Sequence, residues 1–387
     1  MTPAPPVGPR RRHRPALAVA SVAAALLIAA CGGSHATPTA GRSSSTVRAM
    51  PSATAAPTAT PGTATATATS APSPTAPPPA SDVLAYVAVS DGEVVPVDVT
   101  TATAEAPLQV DPDPTSIAIS PDGHSAFVGD GDAATVTGIN LVAGTVGSPD
   151  TLAGNAVITA LAVTPNGATL LAVVNPTGYS TGSVIPITVT SGTAGTAIPV
   201  GADPVAIAVT PDGSTAYVVN AGDGTLTPIS LATDSPGAPI SVGVAPRAIA
   251  IAPGGGTAYV LGGNANASVT PVTLAADPAH DTAGAAISVP GGTPTAIALT
   301  PDGTSAFVVG STGAAQIALP AGNALWTTSS AEYTAAASIP DGTRVLLGYT
   351  SGARPPQGLT VLSVSTDASG TPVALSGEPV SIAVRPS

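Results

Sequence analysis

Seven short segments that end in proline recur between residues 117 and 386, and they constrain the fold more than any other feature. The clearest copy runs from Pro204 to Asn220, and its centre reads Ile-Ala-Val-Thr-Pro-Asp-Gly. The shared prolines are 39 to 48 residues apart, and an alanine stands three positions before each of them. They are Pro121, Pro165, Pro211, Pro253, Pro301, Pro340 and Pro386. Repetition at this period is typical of a chain that builds one supersecondary unit many times.

Each unit reads as four short strands, which we name a to d. Strand a alternates large and small residues, a Pro-Asp-Gly turn follows, and strand b carries an aromatic residue or leucine six positions after the proline. Strand c is rich in Val, Ile and Thr, and strand d is short. Several strands c contain a proline, where the missing N–H predicts β-bulges: Pro96, Pro186, Pro228 and Pro271. Four strands in a repeat of this length are typical of a β-propeller blade.

The two ends of the repeat region predict how a ring would close. The chain reaches Pro386 just after a strand a, whereas the region begins near Tyr86 with a strand b that lacks its own strand a. Pairing the C-terminal strand with the N-terminal strands completes a seventh blade and removes the free sheet edges. We therefore predict an all-β fold, a seven-bladed β-propeller over residues 82–387. We expect the repeated alanines to meet one steric requirement, the close approach of neighbouring sheets.

The units resemble the YVTN-repeat β-propeller family (YncE-like). Tyr217-Val218-Val219-Asn220 is similar to the end of strand b that gives the family its name. The segment from Pro204 to Gly213 is similar to the family pattern Pro-x-x-Ile-Ala-Val-(Ser/Thr)-Pro-Asp-Gly. The resemblance covers about residues 82–387 and implies a propeller. It implies no particular activity, because propellers carry many functions.

The first 31 residues are typical of an export signal. Residues 10–14 read Arg-Arg-Arg-His-Arg, and an apolar run of fifteen residues follows from Ala16 to Ala30. That length is short for a membrane span and matches a secretory signal. The run ends Leu-Leu-Ile-Ala-Ala before Cys31, which resembles a bacterial lipobox. We expect residues 1–30 to form a lipoprotein signal peptide and Cys31 to carry a lipid. An ordinary cleaved signal and twin-arginine export are the alternatives.

Residues 31–81 lack the apolar periodicity that a packed core needs. They consist almost wholly of Ala, Thr, Pro, Ser and Gly, so little apolar surface is available to offset the entropy of ordering the chain. We expect a disordered tether that holds the repeat region away from the cell membrane, on its extracytoplasmic side. A passive spacer is the alternative.

The charge distribution excludes one class of partner. All 22 acidic residues lie at or beyond Asp82, whereas six of the ten basic residues, all of them arginines, precede it. An acidic body without a basic patch is not expected to bind nucleic acid, because phosphates need Lys or Arg. A single cysteine allows neither an intrachain disulfide nor a multi-cysteine metal site.

Acidic residues collect where the b–c loops and the connections between blades are expected to share one face of the ring. Asp113, Asp203 and Glu378 precede strands a and are predicted to surround the mouth of the central channel. Carboxylates from several loops could hold Ca²⁺, the one cofactor we consider. A solvated acidic rim without an ion is the alternative. Arg247 and Arg354 are expected on the same face, where they either bind an anion or pair with the acids.

These features predict a lipid-anchored propeller that binds a protein or an envelope ligand through its loop face, as a monomer and without catalysis. Gly178 to Gly182 match Gly-x-Ser-x-Gly, but that motif forms a nucleophile elbow only between a strand and a helix. The enzymatic alternative is a lactonase-like, metal-dependent hydrolase that uses the acidic channel mouth. A third possibility is a structural module of the cell wall without a specific ligand.

Overall fold

The computed structural model describes residues 84–132, 134–152, 156–176, 181–290, 292–328, 331–351 and 357–386. Within these ranges strands predominate, and the one helix is a single 3₁₀ turn at Pro278–His280. No helix in this part of the chain has the length and hydropathy that crossing a bilayer requires. The signal peptide, Cys31 and the tether lie outside the described residues, so their predictions stand as they are.

The described strands form seven antiparallel sheets, and each sheet is one blade. The strands of blades 1 to 3 are, in chain order, β1 (Leu84–Val89), β2 (Glu93–Asp98), β3 (Thr103–Ala104), β4 (Leu108–Gln109), β5 (Pro114–Ile119), β6 (Ser125–Asp130), β7 (Thr135–Asn140), β8 (Thr145–Thr151), β9 (Ala156–Val163), β10 (Thr169–Pro176), β11 (Thr181–Thr188), β12 (Thr193–Ala194) and β13 (Ile198–Ala202). Blade 1 holds β1 to β4, blade 2 holds β5 to β8, and blade 3 holds β9 to β13.

The remaining strands belong to blades 4 to 7, except the last, which joins blade 1. They are β14 (Pro204–Val209), β15 (Thr215–Asn220), β16 (Thr225–Ser230), β17 (Ser235–Pro236), β18 (Ile240–Ser241), β19 (Ala248–Ile251), β20 (Thr257–Gly262), β21 (Ala267–Thr273), β22 (Thr282–Ala283), β23 (Ile287–Val289), β24 (Pro294–Leu299), β25 (Ser305–Gly310), β26 (Gly313–Ala318), β27 (Ala324–Thr328), β28 (Glu332–Ser338), β29 (Arg344–Ser351), β30 (Gly358–Ser363), β31 (Val373–Ala374) and β32 (Pro379–Val384). Blade 4 begins at β14, blade 5 at β19, blade 6 at β24 and blade 7 at β28.

The ring closes within blade 1, as the sequence predicted. Strand β32 pairs antiparallel with β1, from Val384 opposite Ala85 to Pro379 opposite Val89. The innermost strands β32, β5, β9, β14, β19, β24 and β28 contact one another in that order, and β28 returns to β32. The seven-bladed, closed β-propeller is therefore confirmed.

The repeated alanine of strand a lies directly opposite the large residue of strand b. Ala208 pairs with Tyr217 and Ala250 pairs with Tyr259, and the other five blades have the same pairing. Side chains at such paired positions stand about 5 Å apart at Cβ, so a large residue requires a small one opposite. Most of these alanines also belong to the clusters between blades. The size of the alanine is thus set both by its own sheet and by the next one.

The core consists of seven hydrophobic clusters, each formed by two neighbouring blades. Tyr217 and Phe307 are 1% and 0% exposed in these clusters. Phe127 is less deeply buried, and the residue opposite it on strand c is Gly138. A Cβ added to Gly138 would meet no atom within 4 Å, so this blade leaves space beside its aromatic residue.

The prolines of strands c do not produce the bulges that the sequence predicted. Their pairing with strands b continues without a register shift. The carbonyl of Pro228 accepts a hydrogen bond from Gly237 of the strand d side (2.8 Å), so the proline nitrogen faces that side too. Strand d is divided in two in all four of these blades, which are the five-stranded sheets. The break in strand d removes the need for the missing donor. Register shifts lie instead near the start of strands a, for example between Pro204 and Ala206, and in the c–d pairing of blades 2, 3 and 6 away from these prolines.

Candidate functional site

Chain direction gives the ring two distinct faces. The b–c loops and the d–a connections share one end of the strands, which we name the loop face. The a–b and c–d turns, such as Pro211-Asp212-Gly213, share the other end, which we name the turn face. Leu84, the first described residue, begins strand b of blade 1 next to the end of β32. The chain therefore enters the ring at the turn face.

The three carboxylates predicted to hold Ca²⁺ lie on the loop face but in separate connections. Asp113 precedes strand a of blade 2, Asp203 precedes that of blade 4, and Glu378 precedes that of blade 1. Among the described residues, no group of three or more His, Cys, Asp and Glu side chains is arranged to hold a metal ion. The calcium site remains a prediction.

Asp113 lies near a second carboxylate. Its φ of +71° falls in the left-handed region, which Asp tolerates better than most residues. Its carbonyl accepts a hydrogen bond from the N–H of Gly131 (3.0 Å). Partial burial, and then the negative charge of Asp132, raise the pKa of Asp113. The pair is thus a local concentration of negative charge at the entry to blade 2.

Asp203 is bound to its neighbour blade by side-chain contacts. Its Oδ1 accepts a hydrogen bond from Nδ2 of Asn175 (2.6 Å). Asn175 is only 9% exposed, and its Oδ1 is buried without a partner. The carboxylate of Asp223 accepts a hydrogen bond from the N–H of Ala202 (2.6 Å), one residue before Asp203. These contacts fix the connection between blades 3 and 4.

Glu378 lies where the ring closes. Its N–H donates to Oγ of Ser90 (3.1 Å), and its carbonyl accepts from the N–H of Ser90 (2.9 Å), while its side chain is exposed. Nearby, Glu93 accepts hydrogen bonds from the side chains of Ser376 and Gln109, which lower the pKa of Glu93. The carboxylate of Glu93 is thus held by neutral donors of this blade junction, whereas Glu378 is held through its backbone.

Arg247 does not pair with an acid. It is the one basic residue on the loop face among the described residues, and none of their ion pairs includes it. Its backbone N–H donates to the carbonyl of Leu261 (2.7 Å), and its Nε is buried without a hydrogen-bond partner. Of the two alternatives from the sequence, pairing with the acids is therefore not observed. Arg354 lies outside the described residues.

In four other blades, the repeat position that Arg247 occupies is a threonine that joins neighbouring blades. Three residues before the repeated alanine, four blades carry a threonine whose hydroxyl bridges to the next blade. Thr159 donates to the carbonyl of Pro204 (2.8 Å), and Thr334 donates to that of Pro379 (2.6 Å); Thr115 and Thr295 make matching contacts. Blade 5 has an arginine in place of this bridging threonine. An alignment of the repeats by their shared prolines shows this departure in the sequence.

Charge is unevenly distributed over the loop face. The carboxylates belong to blades 1 to 4 and to the two ends of blade 7, and the loops of blades 5 and 6 have none. Between Asp223 and Glu332, Arg247 is the only charged residue on this face. The sector without acids explains why Arg247 has no partner. This pattern is visible in the sequence once residues are assigned to blades.

Comparison with known proteins supports the fold. No protein-family model matches the chain, and no curated protein matches it significantly. Among solved structures, Kuenenia stuttgartiensis hydrazine synthase is 15% identical and matches with a TM-score of 0.62, over 71% of this chain and 90% of that one. A functionally unknown protein from Desulfotomaculum acetoxidans is 18% identical, with a TM-score of 0.63, over 79% and 99%.

A third similar structure is itself described as a β-propeller domain. The Cps50 (Swd1) β-propeller domain of Myceliophteria thermophila is 15% identical, with a TM-score of 0.60, over 73% of this chain and 93% of that one. Identities this low establish a shared fold and no shared ligand or reaction. By its strand topology and by these likenesses, the chain is a seven-bladed β-propeller.

Proposed function

We propose that this protein is a lipid-anchored propeller of the YVTN-repeat, YncE-like kind that acts as a binding or scaffold module on the extracytoplasmic side of the cell membrane. The observation that carries the proposal is the entry of the chain at the turn face, where Leu84 begins β1. A tether from Cys31 would join the ring there. The loop face, at the opposite end of the strands, would then be free of this attachment and stay open to a partner.

The loop face has the properties of a preformed binding surface. Its loops stand on a ring of buried strands, and rigid scaffolds of this kind commonly position binding residues on loops. The connections are themselves fixed, because Asp203 and Asp223 accept hydrogen bonds from groups of neighbouring elements. A surface that is already ordered loses less conformational entropy when it binds.

The turn-face contacts favour the YVTN-repeat assignment. The hydroxyl of Thr210 donates to the carboxylate of Asp212 (2.5 Å) and accepts from the N–H of Thr215 (3.1 Å). The Ser/Thr and Asp of the family pattern thus stabilise one turn together. Thr300 and Asp302 repeat the contact in blade 6.

The anchor is tested by metabolic labelling with an alkyne fatty acid. We expect the full chain to take up the label and to sediment with membranes, and Cys31→Ser to lose both. Because Cys31 is the only cysteine, no other thiol can replace it. Membrane sedimentation of Cys31→Ser equal to that of the wild type would refute lipid anchoring.

The binding role is tested by two triple variants of the full chain with equal charge changes. One neutralises exposed acids of the loop face, and the control neutralises exposed acids of the turn face. The variants are Asp132→Asn/Asp223→Asn/Glu378→Gln and Asp234→Asn/Asp277→Asn/Asp367→Asn. We expect retention on cell envelopes of the producing bacterium to fall in the first and persist in the second, with detergent present to suppress the lipid contribution. Equal retention of both variants and the wild type would exclude a loop-face binding role.

A further inference from the structure

We propose that Arg247 binds the carboxylate of a zwitterionic ligand, whose cationic group faces Asp223 in the adjoining b–c loop of blade 4. The inference rests on the proposed binding function of the loop face and specifies the class of ligand. It begins from an arginine that has no counter-ion in a protein with net charge −12.

The guanidinium of Arg247 has unused hydrogen-bonding capacity. Its Nε is shielded from solvent and has no acceptor, and a buried donor of a charged group that lacks a partner is destabilising. A guanidinium presents a planar fork that matches a carboxylate with two parallel hydrogen bonds. None of the described hydrogen bonds includes the guanidinium of Arg247, and a bound carboxylate would give it an acceptor.

The location of Arg247 argues against a purely structural role. In four other blades the equivalent threonine bridges to the next innermost strand, as Thr334 does to Pro379. Arg247 forms no such side-chain bridge among the described residues, so the junction of blades 5 and 6 holds without it. Its side chain is only partly exposed at the start of the innermost strand of blade 5.

The uneven charge of the loop face selects the kind of anion. A ligand with only negative charge would be repelled by the carboxylates of blades 1 to 4, among them Asp113, Asp132 and Asp223. A ligand that also carries a cationic group would place that group toward Asp223 and its own carboxylate toward Arg247. The loop of Asp223 adjoins the connection of Arg247, because the N–H of Val242 donates to the carbonyl of Gly224 (3.0 Å). Complementary charges of this kind set orientation and specificity.

An exposed apolar residue precedes the arginine by three positions in the same connection. Val244 is 73% exposed, one of three large hydrophobic residues that are exposed in the described part of the chain. Its carbonyl accepts a hydrogen bond from Gly263 (3.1 Å), and Ala245 has a φ of +47°. The loop therefore holds Val244 in place three residues from Arg247. A small apolar group next to the ligand carboxylate would contact it.

The test uses the dipeptide alanyl-alanine, which carries an ammonium group, a carboxylate and two methyl groups. N-acetyl-alanyl-alanine lacks the cation, and alanyl-alanine amide lacks the anion. Binding to the full chain is measured at pH 7 by calorimetry and by ligand-observed NMR. We expect the free dipeptide to bind, and each capped form to bind at least about tenfold more weakly.

Variants then separate the role of the side chain from that of its charge. Arg247→Gln should weaken binding at least about tenfold, and Arg247→Lys should recover only part of it, because the fork is lost while the charge stays. Arg385→Gln makes the same charge change on the turn face and should bind like the wild type.

Two results would overturn the inference: no binding of the free dipeptide at millimolar concentration, or equal affinity of the wild type and Arg247→Gln. These results are distinct from failure of the proposed function. If Arg247→Gln keeps wild-type retention on cell envelopes while the loop-face triple variant loses it, the binding role stands and the assignment of Arg247 fails. If neither variant changes retention, both fail.

Discussion

Replacing Tyr217 with phenylalanine would remove one hydrogen bond that joins two blades. The hydroxyl of Tyr217, in blade 4, donates to the carboxylate of Asp281 (2.6 Å). Asp281 follows the 3₁₀ turn Pro278–His280 in the c–d connection of blade 5, and its other oxygen accepts from the N–H of Ala275 (2.7 Å). The contact therefore fastens this connection to the neighbouring blade.

The burial of the two partners sets the size of the effect. Tyr217 is 1% exposed, so the variant buries no new polar group, while Asp281 is only half-buried and can regain water. Hydrogen bonds to charged groups contribute about 1.5–3 kcal/mol net, and removing one partner costs more when the other is left buried without water. Because Asp281 recovers solvent, we expect Tyr217→Phe to lower the free energy of unfolding by about 1 to 2 kcal/mol, or Tm by about 2 to 5 °C.

The same contact predicts a dependence on alkaline pH. Burial first, and then the hydrogen bond and charge of Asp281, raise the pKa of Tyr217 far above its ordinary value. The folded pKa is thus above the unfolded one, so this stabilisation is complete below about pH 10 and decreases as the pH rises above it, where the unfolded chain ionises. Tyr217→Phe should lose less stability than the wild type between pH 9 and pH 11.

Tyr259 supplies the matched control. It occupies the same position in blade 5, is 5% exposed, and has a pKa that is raised by burial alone. Urea unfolding of the full chain, followed by circular dichroism, should show a change for Tyr259→Phe below about 0.5 kcal/mol. Equal losses in both variants, or no loss in Tyr217→Phe, would refute the argument that the Asp281 contact is what stabilises the junction.

Three further predictions concern other parts of the ring. Gly138→Val fills the open space opposite Phe127 and removes a flexible glycine from a strand, so we expect the free energy of unfolding to rise by about 1 kcal/mol. Thermal unfolding checks this, and a lower Tm would contradict it. The hydrogen bond from Thr210 and those from nearby N–H groups lower the pKa of Asp212, so the stabilisation by its carboxylate is present above about pH 4 and decreases as the pH falls through the depressed folded pKa. Asp212→Asn should therefore make the urea midpoint depend less on pH between pH 6 and pH 2. An unchanged pH dependence of the midpoint would count against this. A calcium site at Asp113, Asp203 and Glu378 predicts that 5 mM Ca²⁺ raises Tm, that a chelator reverses the rise and that Asp113→Asn abolishes it, whereas a Tm unchanged within about 1 °C would count against the site.

The repeat pattern predicted the architecture because it carries the pairing information itself. The alanine of strand a and the large residue of strand b keep a constant separation from the shared proline, and the structure pairs them across the sheet, as with Ala208 and Tyr217. The missing strand a at the start of the region predicted closure in one blade, which β32 and β1 confirm.

The prolines of strands c show where reasoning from single strands fails. A missing N–H can be accommodated by a bulge in the same strand or by a break in the partner strand, and the sequence of strand c does not distinguish them. The deciding fact is that Pro228 turns its carbonyl toward strand d. That direction depends on register, which follows from the pairing of all four strands.

The loop face was predictable in location but not in detail. Topology alone placed Asp113, Asp203 and Glu378 on one face. Whether their side chains converge depends on backbone angles in the connections, such as the φ of +71° at Asp113, and on local donors such as Asn175. The isolation of Arg247 is visible in the sequence once every charged residue is assigned to a blade.

Closure of the ring through β32 and β1 also governs how the chain can fold. Ala85 pairs with Val384 across almost the whole length of the repeat region, and contacts between residues so far apart form slowly because the intervening chain must first be brought together. During synthesis, blade 1 remains a sheet with an open edge until residue 384 has emerged, and such an edge can pair with another chain. The nascent protein is therefore most exposed to aggregation at β1, and its protection depends on β32, which is made after the other described strands of the ring.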